Sequence, residues 1–152
     1  MNKSKKKMSW VITIMIFILT SMSTVLSFPT TVNAAPPLTI LHNGTPVSFD
    51  QPAIIRNNRV MVPFRALFEL MDAEVDWDPR TQQIFGRTDT QTITLTVGNS
   101  QAIINGEQHF MDAPPFIVPE TGRTLVPIRF IGEALGADVF WDPVGRRVCI
   151  NT

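Results

Sequence analysis

Short apolar runs and turn residues alternate regularly along positions 38–151 of this chain. Asn43-Gly44 lies between two such runs, and Asn105-Gly106 lies between two more. Asn-Gly between apolar runs is the strongest local signal for a β-hairpin, because both turn positions require positive φ. Two hairpins are therefore expected. Their predicted strands are Leu38–Leu41, Thr45–Phe49, Gln101–Ile104 and Glu107–Met111.

A longer segment is present twice, 64 positions apart. Arg59–Arg65 (RVMVPFR) recurs as Arg123–Arg129 (RTLVPIR), and Trp77-Asp78-Pro79 recurs as Trp141-Asp142-Pro143. The intervening matches are Glu69/Glu133, Ala73/Ala137 and Val75/Val139. Such self-similarity predicts two tandem units, at about 38–98 and 99–152, with hairpin regions related by 62 positions.

Each copy predicts one short helix after a strand. Pro63 and Pro127 stand where a helix can begin, since its first turn needs no N–H from proline. Apolar residues then follow at helical spacing, and Asp72 or Gly136 suits the left-handed position that ends a helix. The apolar stripes are Phe64, Leu67, Phe68 and Met71 in the first copy and Ile128, Ile131 and Leu135 in the second.

Further strands follow each helix. Val75 and Trp77 alternate with acidic residues, and Asp-Pro turns lead into return strands. The predicted strands are Glu74–Trp77, Gln83–Arg87, Thr92–Val97, Asp138–Trp141 and Arg147–Ile150. The pattern predicts an α+β fold, a mostly antiparallel β-sheet with two short helices, built from two β-hairpin–strand–helix–strand repeats.

The N-terminus is predicted to be a secretory signal peptide, residues 1–34. Four lysines precede the apolar run Trp10–Leu19, and small or apolar residues at Val32 and Ala34 favour cleavage after Ala34. An uncleaved anchor over Trp10–Phe28 is the alternative. Either form predicts an exported protein, secreted or associated with the cell envelope.

Charge and cysteine content narrow the functional classes. All four lysines lie in the leader, so residues 35–152 carry nine Arg against thirteen acids, near −4. Residues 35–152 contain no cluster of basic residues, so nucleic-acid binding is not expected. Contact with the membrane is expected only through an uncleaved leader. The single Cys149 allows no internal disulfide and is expected to be a buried thiol.

The candidate binding residues are two repeated helical pairs, Arg65/Glu69 and Arg129/Glu133. Their i,i+4 spacing is typical of a surface ion pair. The alternatives are an Arg that clamps an anionic ligand or stacks on the neighbouring Trp. Trp77 and Trp141 are expected to pack in the core, although a sugar-binding platform is a second interpretation.

No catalytic or metal site is predicted. Asp72, Glu74, Asp76 and Asp78 have spacing suitable for Ca²⁺, but without the Gly and distal Glu of an EF-hand they are expected to form a solvated strand face. With His42, His109 and one Cys, no zinc site can form without carboxylates.

The sequence R-x-[LM]-V-P-[FI]-R, followed by E-x-[LM]-x-A-x-V-x-W-D-P, resembles the copper amine oxidase N-terminal-like, or stalk, domain family. The resemblance covers Leu38–Asn151; Asp72 departs from the usual Gly. It implies a stalk module of the kind carried by exported proteins of Gram-positive bacteria. The oxidase activity needs a Tyr-derived quinone and three copper-binding His, whereas this chain has no Tyr and two His.

The expected function is a non-enzymatic binding or assembly module at the cell surface. Its expected partner is a cell-wall component or a surface protein, and its oligomeric state is left open. One alternative is a small carboxylate-based glycan hydrolase using Asp76 and Asp142. Another is a Ca²⁺-dependent adhesion module.

Overall fold

Residues 36–152 are described by a computed structural model and contain thirteen strands and two helices. The predicted signal peptide and its cleavage point lie outside the described residues. The strands are β1 Thr39–His42, β2 Thr45–Val47, β3 Ile54–Arg56, β4 Arg59–Pro63, β5 Glu74–Asp78, β6 Gln83–Arg87, β7 Thr92–Thr96, β8 Gln101–Ile104, β9 Glu107–Phe110, β10 Phe116–Ile117, β11 Thr124–Pro127, β12 Asp138–Asp142 and β13 Arg147–Asn151. The helices are α1 Phe64–Leu70 and α2 Ile128–Ala134.

The strands form three sheets, with the orders β12-β13-β1-β2, β10-β11-β4-β3 and β5-β6-β7-β8-β9. Within the described chain, every strand pairing is antiparallel except that of β1 with β13. The prediction of a mostly antiparallel α+β fold with two short helices is confirmed. The parallel pair joins the start of the described chain to its end.

Both Asn-Gly hairpins form as predicted. Asn43 and Gly44 have φ of 47° and 78°, and Asn105 and Gly106 have φ of 52° and 85°. A third hairpin was not predicted. Asn57-Asn58, with φ of 50° and 59°, connects β3 to β4. Asn tolerates the left-handed region better than most residues, so this dipeptide was a usable signal.

The helices begin one residue later than their prolines suggested. Pro63 and Pro127 are the last residues of β4 and β11, with φ of −57° and −68°, and each is the N-cap of the following helix. Each helix has seven residues and buries the first members of the predicted apolar stripe, whereas Met71 and Leu135 lie beyond the helix ends and are half-buried. The buried helix residues are Phe64, Leu67 and Phe68 in α1 and Ile128, Ile131 and Gly132 in α2.

Both helices are followed by a residue in the left-handed conformation. Asp72 has φ of 54° and Gly136 has φ of 92°. The N–H of Ala73 bonds the carbonyl of Phe68 at 2.9 Å, which closes the last turn of α1. The predicted roles of Asp72 and Gly136 at the helix ends are confirmed.

This geometry gives a stability prediction. Gly136→Ala is expected to lower the free energy of unfolding by about 1 kcal/mol, because a Cβ is unfavourable at this φ. A Cβ at residue 136 would meet nothing within 4 Å, so the effect is conformational alone. Asp72→Gly is the matched change, expected to leave stability unchanged or raise it. Urea denaturation of both variants is the measurement, and a gain in Gly136→Ala would contradict the assignment.

One main core lies between the helices and the sheets. Its members include Leu67, Ile84, Leu95, Ile131 and Ile150, each fully buried. Burial of this apolar surface is the main stabilising term of the fold. A smaller cluster of Met61, Ala113 and Leu125 lies apart from it.

A large residue and a glycine exchange places between the two sequence copies. In the first copy Phe68 is fully buried, and a Cβ at Gly86 would lie 1.9 Å from its ring. The corresponding residues of the second copy are Gly132 and Ile150, both buried. The large residue of the two is on the helix in the first copy and on β13 in the second, where a Cβ at Gly132 would meet Cγ2 of Val139 at 2.7 Å.

The sheet β10-β11-β4-β3 joins the two copies at matched residues. Val62 of β4 pairs directly with Val126 of β11, and Met61 pairs with Pro127 as Leu125 pairs with Pro63. Both valines are fully buried. Residues at matching positions of the two sequence copies therefore pair with each other in this sheet.

Cys149 differs from the expected buried thiol. It is half-buried, whereas its neighbours Val148 and Ile150 in β13 are buried. Successive residues of a strand point to opposite faces, so Cys149 lies on the outer face of its sheet.

Candidate functional site

Two grooves flank the helices. The α2 groove has a volume of about 330 Å³, and the α1 groove about 450 Å³. Both volumes fall in the range of small-ligand sites. The α2 groove is defined by Arg59, Phe110, Asp112, Arg129, Phe130, Glu133, Phe140 and Trp141. The α1 groove is defined by Ser48, Asp50, Phe64, Arg65, Ala66, Glu69, Trp77 and Arg123.

The predicted site residues divide between these grooves. Arg129 and Glu133 line the α2 groove, with Nε of Arg129 3.9 Å from Oε1 of Glu133. Both side chains are 56% exposed, so the pair contributes little to stability. The structure brings Arg129 and Glu133 together as the i,i+4 spacing predicted.

The first pair is arranged differently. Arg65 and Glu69 line the α1 groove and are exposed. The guanidinium carbon of Arg65 lies 5.5 Å from the ring centroid of Phe64, a cation–π contact. Among residues 36–152, no ion pair joins Arg65 to Glu69. The aromatic partner of Arg65 is Phe64, so the suggested stacking on Trp was wrong.

Each groove also contains an ion pair that sequence reasoning missed. Nη2 of Arg59 lies 2.5 Å from Oδ2 of Asp112, and Nε of Arg59 donates to the same oxygen at 2.9 Å. In the α1 groove Arg123 pairs with Asp50. Each pair joins one copy to the other. The repetition of both arginines and both aspartates was a signal that could have revealed them.

The two tryptophans occupy different environments. Trp77 is half-buried and packs against the core, with its ring centroid 6.0 Å from that of Phe64. Trp141 is 36% exposed and lines the α2 groove. The expectation of core packing is confirmed for Trp77 and wrong for Trp141, which stands at the end of the edge strand β12.

Two exposed phenylalanines accompany Trp141. Phe110 is 72% exposed and Phe140 is 59% exposed, and both line the α2 groove. Phe140 and Trp141 are consecutive in β12, so their side chains leave opposite faces of this edge strand. Three exposed aromatic residues at one groove still exceed the scattered exposed apolar residues that are normal on a protein surface. Sequence reasoning missed both phenylalanines because Phe110 ends a hairpin strand and Phe140 corresponds to Asp76, which lies on the acidic face of its strand in the first copy.

The carboxylates suggested for glycan hydrolysis do not form a catalytic pair. Asp76 is exposed on β5 and Asp142 lies on β12, in a different sheet. Neither lines the two grooves. A hydrogen bond from Arg147 lowers the pKa of Asp142, and the N–H groups of Gly145 and Val144 add to this effect. A general acid needs the opposite shift.

The pKa shift gives a pH prediction. Because the pKa of Asp142 is lowered in the folded state, its contribution to stability is complete above the ordinary value of 3.8 and is lost as pH falls through the folded value. We expect Asp142→Asn to lower Tm at neutral pH, with a deficit that shrinks below pH 3.8. Thermal melts from pH 7 to 2 measure this, with Asp89→Asn as the exposed control. A constant deficit would contradict the Arg147 assignment.

The acidic residues near β5 form the expected solvated face. Glu74 and Asp76 are exposed, and Glu74 pairs with Arg87 of the neighbouring strand. The carboxylate of Asp78 accepts a hydrogen bond from the N–H of Arg80, which lowers the pKa of Asp78. These contacts stabilise the sheet edge and its turn.

The potential metal ligands of residues 36–152 do not come together as a copper site requires. Within residues 36–152 no group of three or more His, Cys, Asp and Glu side chains is placed to hold a metal ion. His42 hydrogen-bonds Thr152, 3.2 Å away, and His109 is on the separate strand β9. The sequence also lacks the Tyr from which the quinone is made. These residues do not fit a copper–quinone centre.

In the part of the chain that the structure describes, neither helix is long and apolar enough to cross a membrane.

Comparison with known proteins identifies the family. Residues 41–150, most of the chain, match the family described as copper amine oxidase N-terminal domain. A search of curated protein sequences found no significant match. In the copper amine oxidases this N-terminal domain is a non-catalytic domain. The resemblance noted in the sequence is confirmed, and the chain belongs to the copper amine oxidase N-terminal domain family.

Proposed function

We propose that this protein is an exported, non-catalytic module that binds a component of the bacterial cell surface through the α2 groove. The observation that carries the proposal is the grouping of Phe110, Phe140 and Trp141 around one groove beside the Arg129–Glu133 pair. Apolar side chains with a few polar groups among them are typical of binding sites. The leader predicted from the sequence would deliver the module to the envelope.

A non-catalytic function is supported by the chemistry of the groove. Its charged residues are joined in two oppositely charged pairs, Arg59–Asp112 and Arg129–Glu133. No copper or quinone chemistry is proposed, since the sequence has two His and no Tyr.

We also infer that the domain consists of two units derived from one ancestral unit. The support is the direct pairing of Val62 with Val126, residues that are 64 positions apart like the matched sequences. The exchange of Phe68 and Gly86 for Gly132 and Ile150 indicates that the two units then diverged. Because the two units have diverged, their grooves can have different functions.

The proposal is tested by sedimentation with isolated cell walls. The exported protein is expected to sediment with walls, whereas Phe110→Ala/Phe140→Ala is expected to remain largely in the supernatant. Both side chains are exposed, so the double variant should keep its fold. Phe85→Ala is the matched control, because Phe85 is 41% exposed on β6 and lines neither groove.

Two results would contradict the proposal. One is a wild-type protein that neither sediments with walls nor forms a complex with a surface protein. The other is shortening of wall polymers by the wild type that is lost in Asp76→Asn/Asp142→Asn, which would favour the hydrolase instead.

A further inference from the structure

The aromatic groups of the α2 groove suggest the kind of ligand it takes. Phe110, Phe140 and Trp141 each expose at least 36% of their surface in the described chain. An aromatic ring presents a flat apolar face, and the Trp N–H adds a hydrogen-bond donor. Flat apolar faces complement the C–H faces of pyranose rings.

The charges of the groove favour an uncharged ligand. Arg59 is joined to Asp112, and Arg129 faces Glu133, so the four charges cancel within the groove. An anionic or cationic ligand bound to one member of either pair would lie beside the like charge of the other member. Hydroxyl and amide groups, in contrast, can bond to the lone pairs and N–H groups that these side chains leave available.

The α1 groove lacks the same aromatic groups. The residues that correspond in sequence to Phe110, Phe130 and Phe140 are Ser48, Ala66 and Asp76. Its Trp77 is packed against the core, unlike the exposed Trp141. The two grooves thus share an Arg–Asp ion pair and differ in exposed aromatic surface, so aromatic stacking is expected in the α2 groove.

We propose that the α2 groove binds an uncharged glycan chain by packing sugar rings on Phe110 and Trp141, with Phe140 extending the aromatic surface at the edge of β12 and with Arg129 and Glu133 bonding to sugar hydroxyl or acetamido groups. This proposal rests on the proposed cell-surface binding function and specifies its ligand. An extended apolar peptide is the rival occupant, and the experiment below separates the two.

The probe is a soluble tetramer of N-acetylglucosamine, titrated into the exported protein and followed by calorimetry and tryptophan fluorescence. We expect saturable binding with a change in Trp fluorescence. Phe110→Ala/Phe140→Ala should weaken binding about ten-fold or more, as expected when well-placed aromatic contacts are removed. Phe85→Ala should bind like the wild type.

A second variant tests whether binding depends on charge. Arg129→Gln/Glu133→Gln keeps hydrogen-bonding groups but removes both exposed charges, and it is expected to retain most of the affinity. Absence of tetramer binding, or equal binding by the wild type and the double phenylalanine variant, would overturn the glycan proposal.

Competition on intact walls distinguishes failure of this proposal from failure of the wider one. If the soluble N-acetylglucosamine tetramer displaces the protein from intact walls, glycan binding is supported. Sedimentation that resists the tetramer, or displacement by an apolar peptide alone, would overturn the glycan proposal and leave the cell-surface function standing. Failure to bind walls, surface proteins and tetramer would overturn both.

Discussion

Gly86→Ile will abolish the cooperative fold unless Phe68 is shortened at the same time. A Cβ at residue 86 would lie 1.9 Å from Cε1 and 2.6 Å from Cδ1 of the Phe68 ring. That ring is fully buried in the main core, so it has little room to move away. We expect a loss of more than about 4 kcal/mol, a large part of the stability of an ordinary domain.

The second copy supplies the compensating change. Gly132 and Ile150 occupy the positions that correspond to Phe68 and Gly86. Phe68→Gly alone is expected to cost about 3–5 kcal/mol by leaving a cavity, plus about 1 kcal/mol for glycine within a helix. The double variant Phe68→Gly/Gly86→Ile should recover most of the combined loss, because the new side chain fills the cavity.

Urea denaturation of the four proteins gives a double-mutant cycle. We expect a favourable coupling of about 3 kcal/mol or more, which is at the upper end for residues in contact. Additive effects of the two changes would contradict the packing described for Phe68 and Gly86. Phe85→Ala, an exposed change on the same strand, is the control and should alter stability little.

Neither half of the described domain will fold alone. The fragments 36–98 and 99–152 separate all three sheets, because β1 pairs with β13, β4 with β11 and β7 with β8. Each fragment would expose its share of the main core and leave strand edges unpaired. Below about 70 residues a single core rarely supplies enough stability by itself.

Circular dichroism and thermal melts test this prediction. Each fragment is expected to lack a cooperative transition, and an equimolar mixture is expected to regain one at sufficient concentration. A cooperative melt of fragment 36–98 alone would show that the copies are independent domains and would contradict the pairings across the fragment boundary. Val62→Ala in the first fragment should weaken reassembly, because Val62 contacts its partner Val126 across that boundary.

Local signals in the sequence predicted the elements that depend on neighbouring residues. Asn43-Gly44 and Asn105-Gly106 predicted their hairpins, and the apolar stripe of Phe64, Leu67 and Phe68 predicted a buried helix face. These features follow from φ preferences and side-chain periodicity, which operate within a few residues. They were sufficient to predict the fold class.

Long-range features could not be obtained in this way. The parallel pairing of β1 with β13 joins residues more than 100 positions apart, and no local pattern specifies it. The short strand β3 forms by pairing with β4, and the short strand β10 forms by pairing with β11. Their sequences, with two or three residues each, contain too little periodicity for a prediction.

The site was predicted only in part for the same reason. Arg129 and Glu133 were identified because they are repeated and close in sequence, and they line the α2 groove. Phe110 and Phe140 come from different sheets, so their approach to one groove depends on the tertiary fold. Trp141 was expected in the core, but the edge position of β12 leaves it partly exposed.

The most direct test of the central claim is a map of amide chemical shifts in the isotopically labelled exported protein as soluble cell-wall fragments are added. The central claim is that a non-catalytic module binds through the α2 groove. It predicts progressive shifts around Phe110, Arg129 and Trp141, with wall fragments of unchanged length. Shifts confined to Arg65 and Glu69 in the α1 groove, or shortening of the fragments, would contradict it.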